Sequence, residues 1–319
     1  MFAQLRRRLF GIAPEETRIT RRGFAVSDGM VKERLETIGV TFVDGYHAAL
    51  EHPYPSALVA HLNTIDNELR GFAYEGAGMG LALLDMVLPW SRRRLLNFLY
   101  GPGQPHAYMI QIGVGWALAR LRRPVEPGAH WARLDPVTRW LVLDGYGFHE
   151  GYFDWRRFIE RQEMPAHLQG YARRGFDQGL GRVLWFVKGA DVERIAGAVA
   201  AFPPARRNDL WSGVGLACAY AGGVKDWVLY ALTEAAGPAY RPALAQGVVF
   251  AAKTRLRAHN PATHTELACQ VVCDMSLADA AALFDVTGQG LPTIGATPAF
   301  EVWRQRIQAQ FTRHKEFAR

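Results

Sequence analysis

Residues 68–85 read ELRGFAYEGAGMGLALLD, an apolar stretch with four glycines, one tyrosine and, after Glu68 at its start, one glutamate in its interior, Glu75. A glycine inside a helix costs roughly 0.5–1 kcal/mol relative to alanine, so each of the four needs a reason in packing, backbone or ligand. Leu81, Leu83, Leu84, Met86 and Val87 continue the stretch with helical apolar spacing. Strict alternation, the mark of a half-buried strand, is scarce here and along the chain. The segment therefore reads as a helix. Gly76 and Gly80 lie four apart and share one face, where the missing side chains let another helix come close.

The glycines recur. "RGFAYEGAGMG" from Arg70 aligns with "QGYARRGFDQG" from Gln169, "DGYHAALEH" from Asp44 with "DGYGFHEGY" from Asp144, and "GVGWALA" from Gly113 with "GVGLACA" from Gly213. The blocks keep their order at offsets of about 100 residues, which predicts an internal duplication. A weaker third copy is suggested by "LAQGVVFAAKTRL" from Leu244 and "HTELACQVVCDMSLADA" from His264. Breaks rich in Pro and Gly, such as "YGPGQPH", "FPPARRND" and "EAAGPAYRP", fall where helix connections belong. The expectation is an all-α fold in one compact unit. It has an N-terminal arm with the first helices over 1–43, helical repeat A over 44–143, repeat B over 144–243, and a partial repeat C with a C-terminal helix over 244–319.

Of 319 residues, 49% are hydrophobic and 21% charged, ordinary for a globular chain long enough to bury one large core or two smaller ones. The formal charge of +7 is spread over short groups such as "LRRRLF", "SRRRLL" and "YARRG". The lack of a long basic run argues against a nucleic-acid groove. Cys218, Cys269 and Cys273 cannot build a disulfide framework, and "CQVVC" lacks the further Cys or His of a structural zinc site, so they read as buried thiols. No apolar run approaches the ~18 residues of a membrane span, and "MFAQLRRRLFGIAPEE" has no continuous h-region, which together predict a cytoplasmic protein. Phe2, Leu5, Leu9 and Phe10 around Arg6, Arg7 and Arg8 make a short amphipathic helix that either docks on the body or rests on a membrane surface.

A duplicated chain supplies its own control: shared residues serve the scaffold, and polar differences mark where one copy has acquired chemistry. Glu75 stands over Arg174, Tyr74 over Arg173, His106 over Arg206, and His149 and Glu150 over Ala49 and Leu50. Glu75, between glycines in an apolar helix, must be paired, hydrogen-bonded or raised in pKa. It is either a general acid or base, or the ion-pair partner of Arg174 or Arg173. His106, His149 and Glu150 join it as candidate catalytic groups, and Tyr74, Tyr46, Tyr146 and Trp116 as candidate substrate contacts. Trp90, Trp155, Trp185 and Trp211 are further pocket wall or core. Asp44 and Asp144, each before a glycine, read first as turns or caps. If a metal is bound, His106 and His149 are its candidate ligands, although HExxH and paired ExxH motifs are absent. No Walker A loop, strand-associated GxGxxG, GxSxG elbow or kinase signature occurs, so no motif implies a cofactor.

The blocks "RGFAYEGAGMG", "GPGQPHAYMIQIGVGWALAR" and "LVLDGYGFHEGYF", with the opening "RRRLFGIAPEETRITRRGF", resemble the UnbL-like family of unknown function associated with enediyne antibiotic biosynthetic clusters. The resemblance spans nearly the whole chain. It implies a role beside a polyketide synthase that makes a long polyene, with UnbV-like and UnbU-like proteins as partners, and it carries no catalytic residues to transfer. Together with the residues, it leads to the expectation of an accessory enzyme or enzyme subunit. Such a protein would accept a hydrophobic polyene or acyl chain between two helical halves for isomerisation, cyclisation or another modification. The rival expectation is a non-catalytic helical scaffold or carrier that binds a partner, such as an acidic carrier protein, or the hydrophobic intermediate itself.

Overall fold

The computed structural model describes residues 2–88, 93–125 and 131–312, and Trp90 lies outside them. The described residues contain no strand, in line with the all-α expectation. In chain order the helices begin with α1 (Phe2–Phe10), α2 (Ile19–Arg22), α3 (Gly29–Glu51), α4 (Pro55–Leu62) and α5 (Arg70–Val87). Next come α6 (Arg94–Leu99), α7 (Ala107–Arg120), α8 (Leu141–Phe153), α9 (Tyr171–Val187) and α10 (Val192–Ala201). The last are α11 (Pro204–Ala221), α12 (Asp226–Arg257), α13 (Thr263–Ala268), α14 (Leu277–Thr287) and α15 (Ala299–Thr312). The body is a row in which α3, α5, α7, α8, α9, α11 and α12 lie side by side, each packed on the next.

Glycine sets those contacts. Five row helices carry a pattern x-G-x-G: EGAG at 75–78, IGVG at 112–115, DGYG at 144–147, QGLG at 178–181 and SGVG at 212–215. In α3 and α12 the corresponding contacts fall to Gly45 and Gly247. Two residues along a helix turn it by about 200°, so the first glycine faces the preceding helix and the second the following one. At each junction a Cβ on either glycine would run into the backbone carbonyl three residues before the glycine opposite. Gly45 meets Ala73 while Gly76 meets Phe42, Gly78 meets Ile110 while Gly113 meets Glu75, and the same exchange continues to Gly215 on Leu244 and Gly247 on Ser212. Only glycine allows so close a crossing. The contacts climb together along both partners, since Gly80 in turn meets Tyr46 and Ala49, so neighbouring helices run in the same direction.

The row curls back on itself. Arg34 of α3 donates through Nε to the carbonyl of Ala221 at the end of α11 (2.9 Å), and Arg255 of α12 donates through Nη1 to the carbonyl of Glu68 just before α5 (2.5 Å). Phe72 packs edge-on against Tyr220, with ring centres 5.1 Å apart. Helix α1 lies against α3, tied by Arg7 to Glu51 (2.6 Å), and leaves Leu5 and Leu9 exposed.

This arrangement corrects several expectations. Asp44-Gly45 and Asp144-Gly145 lie inside α3 and α8 rather than in turns, because their glycines are crossing points. The contact pattern advances by about 34 residues per helix, so an offset of about 100 residues spans three helices, and the packing does not confirm a duplication of that length. Gly113 and Gly213 do occupy the same place in the row, but Gly175 faces the Leu143 side chain whereas its aligned counterpart Gly76 faces backbone. The boundaries expected at 44, 144 and 244 all fall within row helices. The three cysteines are buried and free, and Cys269–Cys273 forms a π-helical turn rather than an α-helical one. Among the described residues no single helix is long and apolar enough to cross a membrane.

Candidate functional site

On a row helix, the residues one before and three after the first glycine are four apart and share a face, between the flanks given to the two neighbours. These pairs are Glu75 and Met79, Ile112 and Trp116, Asp144 and Phe148, Gln178 and Arg182, Ser212 and Leu216, and Gln246 and Phe250. All twelve are buried. The interior is thus filled from fixed places in a repeated pattern.

Two apolar cavities lie there. The first holds about 570 Å³ of space between its wall atoms, its opening included, and Leu35, Ile38, Phe42, Phe148, Phe153, Glu75, Trp116 and Tyr152 are among its walls. It is a slot rather than a hollow, since the centre of a water-sized sphere has only about 50 Å³ of it to move in. The second, between Met109, Ile112, Leu141, Leu216 and Phe250, is tighter still, with about 480 Å³ between its wall atoms, its opening included. Phe72, Arg182 and Phe186 line both.

Glu75 faces the first cavity. Its Oε1 accepts a hydrogen bond from Trp116 Nε1 (3.0 Å), and its Oε2 lies 3.7 Å from Arg182 Nη2, beyond hydrogen-bond distance. Arg182 Nη1 donates to Asp144 Oδ1, so the two carboxylates share one arginine and Glu75 has the more distant part of it. Burial pushes the Glu75 carboxyl up, Arg182 opposes the shift and Asp144 adds to it, giving a value of about 7. Near neutral pH the carboxyl is therefore present in both forms, as a general acid or base requires.

The pairing expected from sequence is different. Arg174 pairs with Asp209 (2.9 Å) and Glu301 (2.6 Å), and Arg173 donates to the carbonyl of Leu168 (2.9 Å). Neither reaches Glu75, because Gln178, one turn further on, holds the place in α9 that Glu75 holds in α5. Gln178 Nε2 donates to Asp144 Oδ2 (2.8 Å), and its Oε1 lies 3.3 Å from Ser212 Oγ, which also approaches Gln246 Oε1 (2.9 Å). Arg304 of α15 closes this buried line, with Nε donating to Gln246 Oε1 (3.1 Å) and Nη1 beside Asp209 (2.8 Å) and Glu301 (3.1 Å). The line ties α8, α9, α11, α12 and α15 behind the site.

A protein-family model described as "Protein of unknown function (DUF1702)" matches residues 1–311. The chain belongs to the DUF1702 family. No curated protein and no solved structure matches it. The family description names no activity and makes no mention of enediyne clusters.

In this DUF1702 protein the candidate catalytic groups do not share one pocket. Glu75 and Trp116 stand at the slot. His149 meets Trp116 edge to face, with ring centres 5.6 Å apart, and its Nδ1 lies 3.1 Å from Glu150 Oε1. Both residues line a separate open cleft with Tyr146, Arg122 and His167. Burial lowers the His149 pKa, and the bond to Glu150 opposes it. His106 stacks on Tyr74 with ring centres 3.9 Å apart, and its buried Nδ1 has no hydrogen-bond partner. Burial, with Arg70 and Arg255 near, lowers its pKa to about 3. Tyr46 donates its hydroxyl to the carbonyl of Phe10 (2.7 Å), which ties α3 to the N-terminal segment. Among the described residues no group of three or more His, Cys, Asp or Glu side chains could hold a metal ion.

Arg182 and its pairing with Asp144 are what the sequence reading missed. The signal was present, since the place three residues after the first glycine also holds Trp116 and Phe148, both walls of the slot.

Proposed function

We propose that this DUF1702 protein binds an extended polyene or acyl chain in the Glu75 slot and moves a proton on it, as an enzyme or enzyme subunit. One observation carries the reading: a buried carboxyl faces a narrow apolar slot, oriented by Trp116, sharing Arg182 with Asp144 and pushed up to about 7 by burial. A flat conjugated chain suits such a slot better than a bulky ring. Glu75 in its protonated form would deliver a proton to one carbon of an activated conjugated chain, and its carboxylate would remove one from another carbon, which shifts the double bonds with no net change in oxidation state. The setting in enediyne-type polyketide biosynthesis, with UnbV-like, UnbU-like or carrier proteins as partners, rests on the sequence blocks alone. Peripheral membrane contact through α1 is part of the same proposal, supported by exposed Leu5 and Leu9 beside Arg7 and Arg8.

The rival reading is a carrier that holds the chain without altering it. It is favoured by the absence of His106, His149 and Glu150 from the slot, which leaves Glu75 with fewer helpers than the sequence suggested. The two separate in a host whose own copy of the gene is deleted and replaced by Glu75→Gln. Catalysis by Glu75 requires that this variant bind a fluorescent polyene as the parent does and fail to restore pathway product. Full restoration would leave the carrier reading standing.

A further inference from the structure

The two cavities share three walls, and one of those walls is charged. Phe72, Arg182 and Phe186 line both narrow cavities and stand where the two adjoin. Arg182 is thus the charged group that both cavities share, with Glu75 beside it on the first; Glu16 and Thr17 also line the first cavity, and Tyr108, Tyr220 and Thr254 the second. Where the cavities adjoin, Arg182 Nη2 and Glu75 Oε2 face each other across 3.7 Å without a hydrogen bond between them. Arg182 Nη1 and Glu75 Oε1 are each held by another partner, Asp144 and Trp116, so the pair is fixed in place while its two inner atoms stay open. A ligand oxygen placed against them would accept from Arg182 Nη2 and from the protonated carboxyl of Glu75, two charge-assisted or acid-type donors in an apolar surround.

We infer that the ligand carries a carbonyl oxygen in the interior of its chain, clamped by Arg182 and Glu75, with one apolar arm in each cavity. The inference rests on the proposed function, since it names the substrate class of that same slot. A fatty acid or other amphiphile with its polar group at one end would leave the clamp of Arg182 and Glu75 unfilled once its chain occupied both cavities, which costs a hydrogen bond. A carbonyl at this point is also where proton transfer is useful: with the oxygen held by Arg182 alone the carbons beside it are acidified, and Glu75 in its carboxylate form, no longer donating to the oxygen, is the base within reach.

The test is a displacement titration of bound diphenylhexatriene by three chains of equal length: dinonyl ketone with its carbonyl at the centre, methyl heptadecyl ketone with its carbonyl near one end, and nonadecane. Dinonyl ketone is expected to bind about tenfold tighter than the other two, the worth of one good buried hydrogen bond. Arg182→Met is expected to bring it down to the alkane. Equal binding of the two ketones overturns the inference but leaves the apolar slot intact, whereas failure of all three chains to bind overturns the proposed function itself. Should Arg182→Met not fold, the carbonyl stretch of ¹³C-labelled dinonyl ketone bound to the unaltered protein decides. A band below its position in hexane supports the clamp, and an unshifted band overturns it.

Discussion

Gly113 of α7 lies so close to Glu75 of α5 that a Cβ on it would overlap the Glu75 carbonyl oxygen and come within 2.7 Å of Met79 N. The crossing that holds the row together and the residue that gives the site its chemistry are one place. Replacing Gly113 by Ala is expected to destabilise the protein by about 2–3 kcal/mol, the cost of overpacking a rigid backbone contact. Gly197→Ala in α10, where an added Cβ meets nothing within 4 Å, is expected instead to stabilise by about 0.5–1 kcal/mol. Urea denaturation of both variants checks this, and equal stability of Gly113→Ala and parent would remove the structural role given to the glycine.

Glu75 makes stability fall with rising pH. Folding lifts its carboxyl from an ordinary 4.5 to about 7, so across that window the folded protein holds a proton that the unfolded chain has released. The contribution is fully favourable below about pH 4.5 and is lost as pH approaches 7, by about 3 kcal/mol in all. The difference in unfolding free energy between the parent and Glu75→Gln, measured from pH 5 to 8, is expected to show this slope. A flat difference would mean that Glu75 ionises normally.

Trp116 should report the same event. Its indole N–H donates to Glu75, so loss of the carboxyl proton is expected to change Trp116 fluorescence with a midpoint near pH 7. Both Trp116→Phe and Glu75→Gln should abolish that transition. Its survival in either variant would assign it to another group.

His106 should stay silent over the same range. With its pKa lowered to about 3, chiefly by burial, the ring is neutral at every pH where the protein would be handled. An NMR titration of the His Cε1 protons is expected to show no midpoint for His106 between pH 5 and 8. A midpoint near 6.5 would place the ring in water and restore it as a candidate acid or base.

Arg304→Met is expected to be the most damaging of the charge changes. It leaves Asp209 and Glu301 buried with only the half-exposed Arg174 to balance them, at a cost of about 3–5 kcal/mol. Thermal unfolding measures it, and a shift within scatter of the parent would show that the cluster has no part in holding α15.

The sequence made the helical class legible because apolar spacing persists through the glycine blocks, and Gly76 and Gly80 do face one partner, α3. The length of the repeated step was hidden. Glycines two apart, such as Gly76 and Gly78, face opposite neighbours, and a comparison at about 100 residues steps over three helices at once. That shift by one turn set Arg174 opposite Glu75 and concealed Gln178. Arg182 was illegible for a second reason: an arginine in a helix reads as solvent-facing until the crossing points show which side is inside. His149 and Glu150 were correctly seen as a pair but not as lying beyond Trp116, because side-chain spacing along one helix carries no information about the wall made by the next.

The place just before each crossing glycine is occupied by Glu75, Ile112, Asp144, Gln178, Ser212 and Gln246, and none of these side chains makes the backbone crossings. Each is an address whose side chain can change without touching a crossing, although Asp144, Gln178, Ser212 and Gln246 bond to one another along the buried line to Arg304, so a change at one of these calls for another at its partner. A change of reaction in this architecture would then need one or two substitutions at known addresses and no new loop, insertion or hinge. Relatives that work on other chains should differ from this one first at those six positions.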